Sequence, residues 1–413
     1  MAEIRPFRAF RPAPGLESRI AALPYDVYNR QEAKQAVADN VHSFLRIDRA
    51  ETQFPDEVDT YDERVYEKAK ELLEEQISKG EFIQDAYPCY YLYELVMNGR
   101  SQTGIVACAS IDDYVNGVIK KHENTRTEKE EDRIRHVDAL NTQTGPIFLA
   151  YRDRSDLQVL VGKNKAKTPL YDFTSQDGIT HRVYCIDESE DIQSIQAIFK
   201  DLGNIYIADG HHRCASAVKV GLKRRAAKPD FTGEEEFNFF LSVLFPDSEL
   251  MIMDYNRVVK DINGMDTVEF IEKLSEMFTV EERGSIPVKP AAKGEFGMFL
   301  EDKWYLLTAG EELRSTDPVR NLDVSVLQER VLQPLLGIED PKTDKRIDFV
   351  GGIRGLKELE RRVHTDMRVA FSLYPTSIGE LFAVADQGLL MPPKSTWFEP
   401  KLRSGLFLHS LAD

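Results

Sequence analysis

One short run combines an acid, a glycine, two histidines and an arginine: Asp209, Gly210, His211, His212 and Arg213. The apolar residues 204–208 precede it, which predicts a buried strand that turns into a helix at His211 or His212. The first N–H groups of a helix lack partners within it, and the helix dipole favours a negative group there by roughly 0.3–1 kcal/mol. Gly210 permits close backbone approach, and Arg213 offers a planar fork to phosphate oxygens. The run therefore predicts a phosphate-binding turn.

The two histidines of this turn, His211 and His212, add hydrogen-bond donors whose charge can change near neutral pH. A simpler interpretation is that Asp209 caps the helix and that both histidines are polar surface residues. The chain has only 8 histidines, and a helix cap does not need two of them beside an arginine. We therefore favour the binding interpretation.

A second polar segment lies between a strand-like stretch and a helix entrance, and it contains His122, Glu123 and Thr125. A carboxylate on such a loop can orient an alcohol and accept its proton, which is the help that phosphoryl transfer to a hydroxyl needs. Taken alone, Glu123 is most simply an ordinary solvated charge. Together with the turn, it becomes the candidate base.

Two weaker signals stand at the ends of the chain. Near the C-terminus, Lys394, Thr396 and Lys401 could reach a phosphate from a second domain. The neighbouring prolines and aromatic residues support an equally good alternative, in which this segment is only a stiff docking loop. Near the N-terminus, Asp26 is either a turn former or a site residue, and we favour the turn.

The elements that must position these residues are a mixture of helices and strands. Residues 61–78 carry a helical apolar face that ends at Gly80, and residues 89–96 and 104–111 flank a turn and predict a hairpin. A further helix should open at Thr127, with Glu130 completing a capping box and Ile134, Val137 and Leu140 buried. Strands are also expected over residues 146–151 and 183–186.

Downstream of the turn, the pattern predicts an α+β second domain. Residues 237–245 and 250–254 are expected to pair as strands, and residues 268–277 to form a helix. A boundary near residue 255 then divides the chain into a catalytic domain, residues 1–255, and a C-terminal domain, residues 256–413. A length of 413 residues exceeds what one core usually holds.

Composition excludes several classes of protein. The net charge of -17 disfavours nucleic-acid binding. We find no signal-peptide core and no transmembrane run, so we expect no membrane partner. The four cysteines form no Cys-x-x-Cys pair and indicate no metal cluster, which fits a reduced cytoplasm.

The order of these motifs resembles the ParB and sulfiredoxin-like superfamily, and most of all its free-serine kinase branch. The shared order is His122 and Glu123, a helix with Asp132 and Arg133, a Pro-Ile strand at residue 146, and the turn over residues 209–213. Over nearly its whole length the chain resembles the family DUF1015. The resemblance implies an α+β fold, with a ParB/sulfiredoxin-like mixed α/β core, long insertions and a second α+β domain.

The resemblance also implies roles for single residues in a kinase that converts free L-serine to O-phospho-L-serine. Glu123 would be the base, and Asp209 would orient the hydroxyl or a Mg²⁺ ion. The phosphates would be held by the remaining residues of the turn, Gly210, His211, His212 and Arg213, with His211 also catalytic. Further contacts to substrate or phosphate would come from His122, Thr125 and Arg133. ATP, or else ADP, would be the donor, and Mg²⁺ would bridge its phosphates.

Two other functions remain open at this point. The turn specifies phosphate and not the acceptor, so a nucleotide hydrolase or another small-alcohol phosphotransferase fits the same residues. ParB-type folds also include nucleotide-binding regulators that bind DNA. The net charge of -17 and the lack of a basic helix-turn-helix disfavour that regulator.

Overall fold

The computed structural model describes residues 1–125 and 127–412, which group into two compact units. One unit is Met1–Leu250 with Pro400–Asp413, and the other is Met251–Glu399. The expected C-terminal domain, residues 256–413, differs from this grouping at its end. The difference arises because the strand His409–Ser410 pairs with Thr142–Gln143, which brings the last residues into the first unit.

The first unit is built on a mixed nine-stranded sheet with the order β6-β11-β8-β12-β5-β4-β10-β9, in which β1 also pairs with β5. Two pairs, β6 with β11 and β8 with β12, are parallel, and the others are antiparallel. The strands of this unit up to residue 250 are β1 Ile4–Arg5, β2 Phe10–Pro12, β3 Phe82–Gln84, β4 Tyr90–Met97, β5 Arg100–Ser110, β6 Ile119–Lys120, β7 Thr142–Gln143, β8 Ile147–Tyr151, β9 Tyr171–Thr174, β10 Thr180–Ile186, β11 Ile205–Asp209 and β12 Phe239–Pro246.

Helices cover the sheet and form a second apolar cluster towards the N-terminus. They are α1 Glu17–Ile20, α2 Arg30–Val37, α3 Leu45–Asp48, α4 Glu63–Ser78, α5 Ile111–Val115, α6 Thr127–Leu140, α7 Ser155–Lys165, α8 Ser189–Leu202 and α9 His211–Ala227. Single 3₁₀ turns lie at Tyr25–Val27, Ala50–Gln53, Glu236–Asn238 and Asp247–Glu249.

The second unit contains a six-stranded antiparallel sheet with the order β15-β17-β16-β19-β14-β18. Its strands are β13 Ile252–Met253, β14 Tyr255–Val259, β15 Phe278–Gly284, β16 Glu295–Leu300, β17 Lys303–Ala309, β18 Ile347–Gly351, β19 Val369–Leu373 and β20 Trp397–Phe398. Its helices are α10 Thr267–Ser275, α11 Asp323–Leu327, α12 Leu356–Thr365 and α13 Ile378–Asp386. The fold is therefore α+β, with a mixed sheet in one unit and a second sheet in the other, as the sequence predicts.

Local sequence accounts for the elements that were predicted correctly. Helix α4 begins where the Asp62 side chain accepts a hydrogen bond from the backbone of Arg64, and its apolar face is buried. The β4–β5 hairpin turns at Asn98 and Gly99, whose φ angles of 52° and 79° suit a two-residue turn of the primed type. Strand β11 runs directly into α9, so the strand-turn-helix prediction is confirmed.

Two predictions about pairing and burial are wrong. Residues 250–254 do not pair with β12, because β13 pairs with β20 instead and β12 lies between β5 and β8. In α6, Ile134 and Val137 are only half-buried. The buried side chains beside Leu140 are polar, since this face of α6 borders a polar cavity described below.

Candidate phosphate-binding site

The candidate site lies where two parallel strands end at the same edge of the sheet. Strands β6 and β11 pair with Ile119 opposite Ile205 and Lys120 opposite Tyr206. The chain leaves β6 towards residues 121–125 and leaves β11 towards Asp209 and the start of α9. Because the carboxyl ends of parallel strands meet at one edge, both predicted polar segments are brought to the same place.

His122 and His211 join the two segments directly. The backbone N–H of His122 donates to His211 Nε2 at 3.4 Å, and the ring centroids lie 4.4 Å apart in an edge-to-face arrangement. Glu123 is the next residue after this contact and is half-buried. The two segments, which lie far apart in sequence, therefore form one cluster.

Burial keeps both of these histidines neutral. His122 is 0% exposed, and desolvation lowers its pKa to about 4. The pKa of His211 is also held well below its usual value, first by burial and then by the neighbouring His122. The expectation that His211 changes its charge near neutral pH is therefore wrong, because its ring has too little contact with water. Its ring can act as a neutral hydrogen-bonding group only.

Asp209 ends β11 and is held from two sides. Lys401 Nζ donates to Asp209 Oδ2 at 2.8 Å, and the backbone N–H of Gly210 donates to Asp209 Oδ1 at 2.8 Å. Burial alone would raise the pKa of Asp209, but Lys401 and Arg213 outweigh it and hold this pKa below its usual value. Asp209 is thus ionised at neutral pH, and Lys401 reaches the turn as its counter-ion.

Two glycines make room for the guanidinium of Arg213. Gly210 precedes α9 with a φ of 91°, a left-handed conformation that glycine adopts without strain. A methyl group added at Gly210 would lie 3.5 Å from Arg213 Nε, and one added at Gly145 would lie 3.3 Å from Arg213 Nη1. Arg213 Nη1 donates to the carbonyl of Pro146 at 2.9 Å. The backbone therefore orients the arginine fork next to the helix N-terminus.

The loop that carries Glu123 is fastened to α9. The Thr125 hydroxyl donates to the Glu130 carboxylate, and that carboxylate also pairs with Lys219 on α9. Glu130, the expected partner of a capping box, is therefore engaged by these two side chains. The Ser216 hydroxyl contacts two carbonyls, those of His212 at 2.7 Å and Glu130 at 3.0 Å. These contacts between α6 and α9 thus fix the positions of the two polar segments relative to each other.

Arg133 lies on the buried polar face of α6. It is 8% exposed, donates through Nε to Asp132 at 2.8 Å, and stacks its guanidinium 4.1 Å from the centroid of the Tyr25 ring. The Tyr66 hydroxyl donates to the same Asp132 carboxylate at 2.8 Å. This network explains why a cation can be buried in the middle of the helix.

The residues that surround Arg133, namely His136, Asp48 and Tyr25, were not predicted as site residues from the sequence. His136 is buried one helical turn further on, and its Nε2 lies 3.9 Å from Asp48 Oδ1. Burial raises the pKa of Tyr25 to about 12, and the positive charges of Arg133 and Arg213 lower it by a smaller amount. The i, i+3 spacing of Arg133 and His136 was the one available signal, since it places both on one face of a helix.

Lys394 and Thr396 belong to the second unit. Lys394 is exposed, and its Nζ lies 5.6 Å from the centroid of the Tyr255 ring within that unit. Thr396 is half-buried there. A role for these two residues in phosphate binding stays a prediction.

A magnesium ion fits this site only with help from a ligand. Within residues 1–125 and 127–412, no group of three or more His, Cys, Asp or Glu side chains could hold a metal ion. Both oxygens of Asp209 already accept hydrogen bonds. The donor set thus suits one carboxylate contact to an ion whose other ligands are phosphate oxygens and water.

Comparison with known proteins places the chain in a family. The family model described as "Protein of unknown function (DUF1015)" matches residues 4–325. The chain belongs to this family. No curated protein matches the DUF1015 chain. In the part of the chain that the structure describes, we find no helix long and apolar enough to cross a membrane.

Solved structures similar to this DUF1015 protein include a free serine kinase mutant in complex with ADP. The two are 17% identical, the match covers 71% of this chain and 87% of that one, and the TM-score is 0.34. A conserved hypothetical protein from Pyrococcus furiosus is 18% identical, with 74% and 94% covered and a TM-score of 0.34. SbnI with a C-terminal truncation, from Staphylococcus aureus, is 13% identical, with 71% and 82% covered and a TM-score of 0.37.

Proposed function

We propose that this protein is a nucleotide-dependent kinase that phosphorylates free L-serine to O-phospho-L-serine, with ATP or ADP as the donor. The observation that carries the proposal is the contact between His122 and His211. This contact supports a site in which the candidate base, Glu123, acts beside the turn that we propose binds phosphate. Serine as the acceptor rests on the order of motifs shared with the free-serine kinase branch.

The phosphate side of the reaction uses the start of α9. Backbone N–H groups of its first turn face the donor phosphates, and the left-handed Gly210 lets them come close. Arg213 and Lys401 supply positive charge at the point where the leaving nucleotide gains negative charge. His211 contributes a neutral hydrogen-bonding group, consistent with its lowered pKa.

The acceptor side needs a base, and the two carboxylates of the site differ in fitness for that role. Asp209 is paired with Lys401, and its lowered pKa makes it a poor proton acceptor, so it suits orientation of the hydroxyl. Glu123 then takes the proton of the serine hydroxyl. The serine oxygen forms the new bond to the terminal phosphorus of the donor, and the bond from that phosphorus to the leaving nucleotide breaks.

Magnesium, when bound, would neutralise charge on the phosphate oxygens, with Asp209 as its protein contact. His122, Thr125 and Arg133 complete the proposed site. His122 positions His211, Thr125 is tied to Glu130, and Arg133 lies on the acceptor side near Tyr25.

The test is to incubate the purified chain with Mg²⁺, L-serine and ATP or ADP, and to follow phosphoserine by mass spectrometry. We expect Glu123→Gln and Asp209→Asn to fold and to bind nucleotide but to lose turnover by roughly a hundredfold or more. Glu128→Gln is the matched control, since Glu128 is exposed at the start of α6. It should keep full activity.

Other outcomes distinguish the remaining functions. Consumption of nucleotide without phosphoserine would indicate a hydrolase or a different small-alcohol acceptor. Nucleotide binding without any turnover would indicate a ParB-like regulator. Full activity of Glu123→Gln would show that the base is another residue.

A further inference from the structure

A cavity of about 600 Å³ lies beside α6 in the first unit. Helices α4 and α6 and the loops that follow α1 and α3 form its walls. Its volume falls within the range of small-molecule sites, roughly 300–1,000 Å³. Four tyrosines are among the lining residues: Tyr25, Tyr28, Tyr61 and Tyr66.

The charge of this cavity is negative. Seven carboxylates line it against four basic side chains. Two of those four hold the loops in place, because Arg30 donates to the carbonyl of Val58 at 2.6 Å and Arg49 donates to the carbonyl of Tyr28 at 2.7 Å. His136 adds no positive charge near neutral pH, since burial lowers its pKa to about 4.

The charges are also sorted by depth. Four of the carboxylates are exposed at the mouth: Asp26, Asp56, Glu57 and Asp59. Lys34 pairs with Asp56 at 2.6 Å, so the excess negative charge comes from the other three. Arg133 and Asp48 are buried at the inner end. An acidic mouth repels the phosphates of a nucleotide and raises the local concentration of a cation. The occupant best suited to this mouth therefore carries a positive group.

The inner end of the cavity leads to the turn. A smaller cavity of about 30 Å³ has Arg213 and Gly145 in its lining and shares four residues with the large one: Tyr25, Asp48, Arg133 and His136. A space of this size admits only a small group. A ligand seated in the large cavity can thus present a hydroxymethyl group, but little more, towards Arg213.

We propose that the large cavity is the acceptor site and that it selects an alcohol bearing an ammonium group over a hydroxy acid of the same size. The ammonium faces the acidic mouth, and a carboxylate faces Arg133 beside Tyr25. The hydroxyl faces Arg213 at the start of α9, which the His122–His211 contact joins to the loop of Glu123. This inference rests on the proposed kinase function. It adds the location of the acceptor and a physical reason for an amino-acid substrate.

The experiment measures binding apart from turnover. Equilibrium dialysis of the full chain with radiolabelled L-serine gives its Kd. Two unlabelled competitors are added in turn: L-glycerate, which has a hydroxyl in place of the amine at the same configuration, and ethanolamine, which lacks the carboxylate. The test variant is the double substitution Asp26→Asn with Asp59→Asn, and Glu190→Gln, on the exposed start of α8, is the matched control. Kd for ADP is measured on the same proteins, and phosphoserine formation is assayed separately.

We expect the double variant to bind L-serine about fivefold more weakly or worse, and 1 M NaCl to remove most of that difference because it screens the mouth. Glu190→Gln should bind L-serine as the wild type does. ADP should bind equally well or more tightly, and ethanolamine should compete better than L-glycerate.

Unchanged binding of L-serine in the double variant, or competition by L-glycerate equal to that by ethanolamine, would overturn the proposal. If the double variant bound only ADP more weakly, the cavity would be a nucleotide site, and the proposal would be overturned as well. If the double variant binds L-serine more weakly but the wild type forms no phosphoserine, the cavity remains the serine site and the proposed kinase function is wrong.

Discussion

Lys401 Nζ lies 2.8 Å from Asp209 Oδ2, although 192 positions separate the two residues in the chain. The other carboxylate oxygen accepts from the backbone of Gly210. The acid that ends β11 is therefore oriented by the protein alone, before any ligand binds. A segment that the sequence assigned to a second domain supplies the counter-ion of Asp209 in the candidate phosphate-binding turn.

Lys401→Met tests this ion pair through the pH dependence of stability. The folded-state pKa of Asp209 lies below its unfolded value, so its stabilising contribution is present above about pH 4 and is lost as the pH falls further. Since Asp209 is partly exposed, we expect a loss of about 1 kcal/mol or less at pH 7. Urea unfolding at pH 7, 4.5 and 3.5 should show this loss shrinking below about pH 4.

The control for this substitution is Lys223→Met on α9, which removes a surface ion pair with Asp138 on α6. It should have a smaller effect at pH 7. A loss in Lys401→Met that stays constant down to pH 3.5 would mean that the lysine acts through packing and not through Asp209.

Arg213→Lys tests whether the planar fork matters for phosphate. Lysine keeps the charge but cannot donate to two oxygens in parallel, and it would also lose the fixed contact to Pro146. We expect affinity for ADP to fall about tenfold, which corresponds to about 1.4 kcal/mol. Arg225→Lys, near the other end of the same helix and paired with Asp112, should leave it unchanged. If the wild type, Arg213→Lys and Arg225→Lys bound ADP equally well, Arg213 would not be part of the phosphate site.

Strong local signals explain which parts of the site could be predicted. The strand-turn-helix at Asp209 follows from an apolar run that ends in Asp-Gly, and α4 follows from its apolar spacing and its cap. Both elements are determined by residues that are close together in the chain. The same local logic located Gly210 and Arg213 at the start of α9.

The rest of the site depends on contacts that no local pattern contains. Arg133 and His136 are buried because Tyr25, Asp132 and Asp48 surround them, whereas charged residues on a helix usually face water. The buried face of α6 therefore differs from the apolar face that the sequence predicted. The pairing of β13 with β20 likewise depends on distant residues.

Gly210→Ala tests the left-handed turn. A φ of 91° strains any residue with a Cβ, so we expect a loss of about 1–2 kcal/mol in the free energy of unfolding and weaker binding of ADP. Gly162→Ala is a matched control inside α7, where an added methyl meets no atom within 4 Å. It should stabilise the protein by roughly 0.5–1 kcal/mol. If Gly210→Ala were as stable as the wild type, the turn would not require glycine.

Buried histidines should make the protein sensitive to mild acid, and His181 allows a clean test. Its Nδ1 lies 2.8 Å from the Tyr93 hydroxyl, and burial, helped by Arg403, lowers the pKa of His181 to about 3. Because this folded-state pKa is below the unfolded value of about 6.5, the stabilisation is complete above pH 6.5 and is lost as the pH falls towards 3.

We therefore expect His181→Phe to be less stable than the wild type at pH 7, because the hydrogen bond to Tyr93 is gone, yet to lose less stability on acidification. Between pH 6.5 and 4.5 the wild type should lose roughly 2 kcal/mol more of its free energy of unfolding than the variant. A group that is protonated only in the unfolded state costs about 1.4 kcal/mol for each pH unit below its unfolded pKa. Urea unfolding at four pH values in this interval measures both slopes. His364→Phe, at an exposed histidine, controls for the removal of a histidine as such. If the His181→Phe slope equals that of the wild type, His181 is already protonated within the folded protein and the burial argument is incorrect for this residue.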